Sequence, residues 1–170
     1  MFNIRYKILE DEDIEPYELK GEYGYFEFQT NDEIYGIYID EILDIFSVSI
    51  YWWFYYFLNS LLLLNKTNYV LISDIEKADV WIELKKENEK IYISKVCADK
   101  PEGTSALETT LMPNLEYKYW KNQEVTFSNF CEEIIQESKK YLNDLKTLNT
   151  EKQKDVQNLE LLIKKVEKEL

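Results

Sequence analysis

The stretch 45-IFSVSIYWWFYYFLNSLLLL-64 decides how this chain folds. It carries no charge, runs through unbroken aromatics from Tyr51 to Phe57, and ends in four leucines. Twenty uncharged residues are enough to cross a bilayer as a helix. The flanks argue against a span: Asp40, Glu41 and Asp44 precede the stretch and Lys66 is the only nearby base, whereas spans are anchored by basic flanks. Ser47, Ser49, Asn59 and Ser60 interrupt it. Strand patterns on both sides read as parts of one sheet, which a bilayer would separate. A helix over 45–65 has two unlike faces. Ile50, Phe54, Phe57, Leu58 and Leu61 form a core face; Ser49, Trp52, Trp53, Tyr56, Asn59, Ser60 and Leu63 lie opposite. The second face mixes small polar groups with large amphipathic aromatics, the composition of a protein–protein hot spot. A second helix, such as 129–148, could equally cover it. Trp52, Trp53 and Tyr56 are therefore candidate anchors for a partner, with burial in the core as the alternative.

Working outward, residues 2–9 alternate, with Phe2, Ile4, Tyr6 and Ile8 on one face of a half-buried strand. The acidic run 10–15, closed by Pro16, reads as a loop. Residues 22–29 and 34–39 read as strands about an Asn31-Asp32 turn. Beyond the helix, 69–73 is a short strand. Residues 79–86 and 90–97 form the clearest hairpin, turning at Glu87-Asn88-Glu89, with Val80, Ile82 and Leu84 on one face. Residues 99–123 are irregular, and 124–127 reads as an edge strand. A helix begins at Ser128 or Asn129, with Glu132 placed to back-cap Asn129; its stripe is Cys131, Ile134, Ile135, Ser138, Leu142 and Leu145. The reading is an α+β domain over 1–148: a mostly antiparallel sheet of about five to six strands packed by two main helices. The tail 149–170 adds a C-terminal amphipathic helix. Thr150-x-x-Gln153 reads as its capping box, and Val156, Leu159, Ile163, Val166 and Leu170 form a heptad seam. Folding back on the domain is the preferred reading of that helix; a weak dimer through it is the alternative to a monomer.

Composition restricts the chemistry. A chain of 170 residues with 45% hydrophobic and 15% aromatic residues can build a core without disulfides or metals. Cys97 and Cys131 lack metal-ligand spacing and read as small buried hydrophobes. The N-terminus has no basic region followed by an apolar one, so a cytoplasmic location is expected. The net charge is −13, and residues 1–44 hold 13 acids against 3 bases. Such a field repels phosphate backbones and anionic membranes and attracts basic surfaces. Solubility alone also explains an acidic balance. There is no histidine, which removes Ser-His-Asp, Cys-His and His-ligated zinc arrangements. The four glycines are too scattered for a phosphate loop, and 10-EDED-13 lacks calcium-loop spacing. With 33 acids, a carboxylate pair for hydrolysis cannot be singled out. The residues therefore point to no catalytic, metal or cofactor site.

The segments FNIRYKILEDED, YWWFYYFLNSLLLL, DVWIELKKENEKIYISKV and the run from EGTSALETT through YWKNQEVTFSNFCEEI, in that order, resemble the small acidic immunity proteins that bacteria encode beside polymorphic toxins. The likeness covers roughly residues 1–145 and is one of style and element order. It implies a cytoplasmic inhibitor, without enzymatic activity, that tightly binds one cognate toxin, often a basic nuclease. In that setting Glu10, Asp11, Glu12, Asp13, Asp32 and Glu33 would supply the electrostatic face, and Trp52, Trp53 and Tyr56 the anchors. The competing readings are an acidic adaptor module without a toxin, a carboxylate hydrolase with facing buried acids, and a DNA-mimicking inhibitor with a flat acidic surface.

Overall fold

The computed structural model describes residues 1–9, 15 and 17–170, and of residue 44 the backbone alone. It is an α+β fold, as the alternating strand and helix patterns imply. The strands, however, divide between two antiparallel sheets rather than one. The first contains β1 (Phe2–Ile8), β2 (Tyr23–Thr30) and β3 (Glu33–Ile37) in that order, with β4 (Val48–Ser49) also pairing β2. The second runs β8-β5-β6-β7-β9, built from β5 (Tyr69–Ser73), β6 (Val80–Glu87), β7 (Lys90–Cys97), β8 (Leu107–Glu108) and β9 (Gln123–Thr126). The opening stretch is the helix that joins one sheet to the other.

That helix, α1 (Ile50–Thr67), starts five residues later than its uncharged composition implies. Ser49 is held extended against Tyr23 in the ladder and its hydroxyl caps the amide of Trp52 at 3.3 Å, so the helix cannot begin earlier. Residues 44–46 make a single 3₁₀ turn instead. At the other end Asn68 enters the left-handed region at φ 57° and donates to the Leu64 carbonyl, closing the helix. Ile50, Phe54, Phe57, Leu58 and Leu61 are all fully buried, as their shared face requires. They meet Phe26 and Phe28 of the first sheet and Val70, Ile72, Ile82 and Leu84 of the second within one core. No helix among the described residues is long and apolar enough to cross a membrane.

Helix α2 (Phe127–Leu148) packs on β1 and α1. Its cap is Thr126, whose hydroxyl accepts from the Asn129 amide; Asn129 itself instead accepts from the Phe2 amide at 3.1 Å. Helix α3 (Lys154–Glu169) is capped by Gln153, which accepts from the amides of Asp155 and Val156, so the Thr150 capping box does not form. Val156, Leu159, Ile163 and Val166 are buried in the same core as α1 and α2. The heptad seam is thus spent within the chain, and only Leu170 of that set is exposed.

Sequence period alone makes β6 half-exposed, yet Trp81 and Glu83 on its outer face are fully buried. The irregular segment 99–122 folds over them: Met112, Leu115 and Tyr117 pack on Leu71, Trp81, Val96 and Ala98. Glu83 is a buried carboxylate with its partners in place. It accepts from Tyr117 at 3.0 Å and Tyr69 at 3.1 Å and pairs with Lys85 at 3.0 Å. Burial, then the neighbouring carboxylate, push the Tyr69 phenol above the usual tyrosine range, consistent with a hydroxyl that stays protonated and donates. Replacing Tyr117 by Phe removes a donor to a buried charge and is expected to cost about 1.5–3 kcal/mol in urea denaturation. A cost near zero would mean that the segment 99–122 is not pinned through this hydroxyl.

Candidate partner-binding surface

The outer side of β2 is shared. β3 pairs with residues 26–30 and β4 with residues 23–24, so the chain must leave the sheet between them over 38–47. This excursion is fastened from below. The buried Tyr25 hydroxyl donates to the Glu41 carbonyl at 2.8 Å and accepts from the Leu43 amide at 2.5 Å. The Lys7 ammonium donates to the Asp40 carbonyl at 2.8 Å. A segment held this way presents its side chains at little ordering cost. What it presents is apolar: Ile42, Leu43 and Phe46 are exposed, and Ile45 is 85% exposed. Ile34 and Ile37 of β3 are also exposed, on opposite faces of the strand: Ile37 shares the face of Phe26, Ile34 that of Gln29. Grouped exposed apolar residues of this size mark interaction sites more often than single ones do.

Ile37, Ile45 and Phe46 form an apolar lip of a cleft of about 440 Å³. Its floor is aromatic. Phe26 and Trp53 stack at 5.5 Å with an interplanar angle of 4°, and Tyr35 meets Trp53 edge-on. The far wall is charged. Asp74 is buried; it accepts from the Tyr35 hydroxyl and from the backbone amides of Glu76 and Lys77 at 2.7 and 3.0 Å. Lys95 lies over the Tyr119 ring at 3.9 Å and the Tyr35 ring at 5.3 Å. Burial, and then the neighbouring Lys77, hold the Lys95 ammonium below the ordinary lysine value. Gly36 lines the same cleft at φ 93°; a Cβ there would meet the Phe26 carbonyl at 2.1 Å, so only glycine lets β3 approach this closely.

The predicted partner-binding residues are not gathered in one patch. Glu10, Asp11, Glu12 and Asp13 lie outside the described residues. Asp32 and Glu33 sit at the β2–β3 turn, where Asn31 takes φ 55°. Trp52 is exposed at the start of α1, with the Tyr51, Tyr55 and Tyr56 rings around it at 5.4, 5.4 and 5.6 Å; Tyr56 is half-buried. The turn follows the last residue of β2, whereas α1 starts beside the first, at the other end of a strand about 23 Å long at the usual rise. Trp53 is 3% exposed and belongs to the cleft floor, so it cannot serve as a projecting anchor. The sequence places Ile34 and Ile37 in a strand and Ile45 and Phe46 in the uncharged helix and leaves Ile42 and Leu43 in no element, so none of the six stands out as surface. The one signal is 40-DEILDIF-46, where four apolar residues are interleaved with three acids.

The buried carboxylates are dispersed. Glu27 on β2 pairs with Arg5, Asp74 follows β5, and Glu83 is on β6, each held by its own partners. Comparison with protein-family models, with curated proteins and with solved structures finds no match to this chain.

Proposed function

We propose that this protein binds and neutralises a basic protein partner in the cytoplasm, acting as the immunity proteins it resembles act on a cognate toxin. The observation that carries the reading is the apolar lip from Ile37 to Phe46, fastened at Asp40, Glu41 and Leu43 and set in the acid-rich first quarter of the chain. Asp32, Glu33, Asp40 and Glu41 flank that lip and would steer a basic surface toward it. Desolvation of Ile37, Ile45 and Phe46 against the partner would then supply most of the affinity. Trp52 and Tyr56 remain candidate anchors at the far end of β2, and Glu10 to Asp13 candidates for steering. The chain need perform no chemistry: inhibition follows from covering or distorting the partner's site. An acidic surface with a central apolar lip favours a protein partner over mimicry of a phosphate backbone.

Ile45→Asp should leave the melting temperature unchanged, since that side chain is almost wholly exposed. It should weaken partner binding about 10–100-fold, mainly through a faster off-rate. Charge reversal at Asp40 and Glu41 should instead slow the on-rate and flatten its salt dependence. The deciding experiment captures partners of the tagged protein from its host at low and moderate salt. The captured protein is then expressed alone and together with this chain. One basic partner that arrests growth alone and is silenced by co-expression supports the reading. Several weak partners released by salt would replace it with an acidic adaptor.

A further inference from the structure

Sheet edges carry unpaired amides and carbonyls, and a bare edge is a template for another strand. Three edges of this protein are blunted. On β1 the Phe2 amide donates to the Asn129 side chain at 3.1 Å and the Ile4 amide to the Glu133 carboxylate at 2.7 Å, so α2 covers it. β8 has only two residues. β9 has four, and the Glu124 carbonyl is taken by the Asn31 side chain at 3.2 Å. β3 is different. Alternate residues turn their backbone groups away from β2. Among the described residues no hydrogen bond from outside its own sheet reaches the β3 backbone. Its sequence EIYGI contains none of the lysines or prolines that normally guard an edge. Gly36 is exposed, and with no side chain it exposes backbone.

We propose that β3 accepts an extended segment of a basic protein as an added strand, a mode that rests on the partner-binding reading above and specifies it. Main-chain hydrogen bonds to β3 would supply register, and alternate side chains of the guest would enter the cleft over Phe26, Tyr35 and Trp53. The charge of the surroundings selects the guest. Lys77 and Lys95 line the cleft itself, together with Asp74 and Glu76. Asp32, Glu33, Asp40 and Glu41 lie at the two ends of β3, so acids outnumber bases around the edge, and basic residues on the guest's outward face, away from the two lysines, find partners. A second copy of this chain would bring a net charge of −13 and the same acids against these, which disfavours edge-to-edge pairing of two copies.

The test uses the full chain and two synthetic peptides, one alternating lysine with valine and one alternating glutamate with valine. Amide hydrogen exchange is followed residue by residue. The lysine peptide should slow exchange of the β3 amides about tenfold or more at low salt, and the glutamate peptide should not. Ile34→Lys with Ile37→Lys, both at exposed positions, should abolish that protection without lowering the melting temperature. Peptide binding that leaves the β3 amides unprotected overturns strand addition while sparing the basic-partner reading. Protection that grows with protein concentration in the absence of peptide overturns it in favour of a second copy. Absence of protection at saturating peptide also overturns it. Failure of co-expression to silence a captured partner, beside positive exchange results, removes the toxin reading and leaves the β3 site standing.

Discussion

The Phe57→Ala protein is expected to lose about 3–5 kcal/mol of stability in urea denaturation, a large fraction of the roughly 5–15 kcal/mol that holds a domain of this kind together. Phe57 is fully buried, and its ring lies 5.5 Å from Phe28, 6.1 Å from Phe2 and 6.2 Å from both Phe26 and Phe130. Those neighbours come from β1, β2 and α2, so truncation opens a cavity where three elements meet α1 and none can close it alone. Trp52→Ala, five residues earlier on the exposed side of the same helix, is the control. It should cost under about 1 kcal/mol, because that ring is packed mainly on tyrosines of its own helix. Equal losses at the two positions would refute the central placement of α1.

A second large effect is expected in alkali. Burial, and next the Glu22 carboxylate, raise the Tyr141 phenol above its ordinary value; burial, and next Asp155, do the same for Tyr51. Tyr141 donates to the Gly21 carbonyl at 2.8 Å and Tyr51 to the Asp155 carbonyl at 3.2 Å, bonds that require the protonated form. In the unfolded chain both would ionise near pH 10. Between that pH and the raised folded values the native state holds more protons than the unfolded one, so stability falls as pH rises. The slope is about 1.4 kcal/mol per pH unit for each phenol, or about 2.7 for the pair. Cys131, pushed up to about 12 by burial, adds the same sign of slope from about pH 8.5 upward. A titration followed by tyrosinate absorbance and circular dichroism should show exposed tyrosines ionising first with the fold intact. The buried ones should then ionise together with cooperative unfolding. All 14 tyrosines titrating near pH 10 with an undisturbed dichroism spectrum would contradict this.

The local elements were legible because their signals are local. Alternation in 2–9, the turn at Asn31-Asp32, the hairpin about Asn88 and the stripe of α2 each lie within about twenty consecutive residues. The core face of α1 likewise follows from helical spacing, and the heptad seam of α3 marks residues that are buried, the terminal Leu170 excepted. Tertiary structure decided where those elements meet. Whether α1 joins one sheet or two depends on which strand edges pair, and pairing between distant segments leaves no trace in a window of sequence. The caps moved for the same reason: Ser49 is extended because it pairs with Tyr23, and Asn129 is drawn from capping α2 to the Phe2 amide. Burial of Trp53 and exposure of Trp52 cannot be separated by composition, since adjacent residues on a helix differ by 100° and only the position of Phe26 tells them apart. The apolar lip is the clearest case. Isoleucines and phenylalanine at 34–46 are what a core is made of; Ile34 and Ile37 stand at the surface because β3 is an edge strand, and Ile42, Ile45 and Phe46 because the chain must leave β2 between β3 and β4.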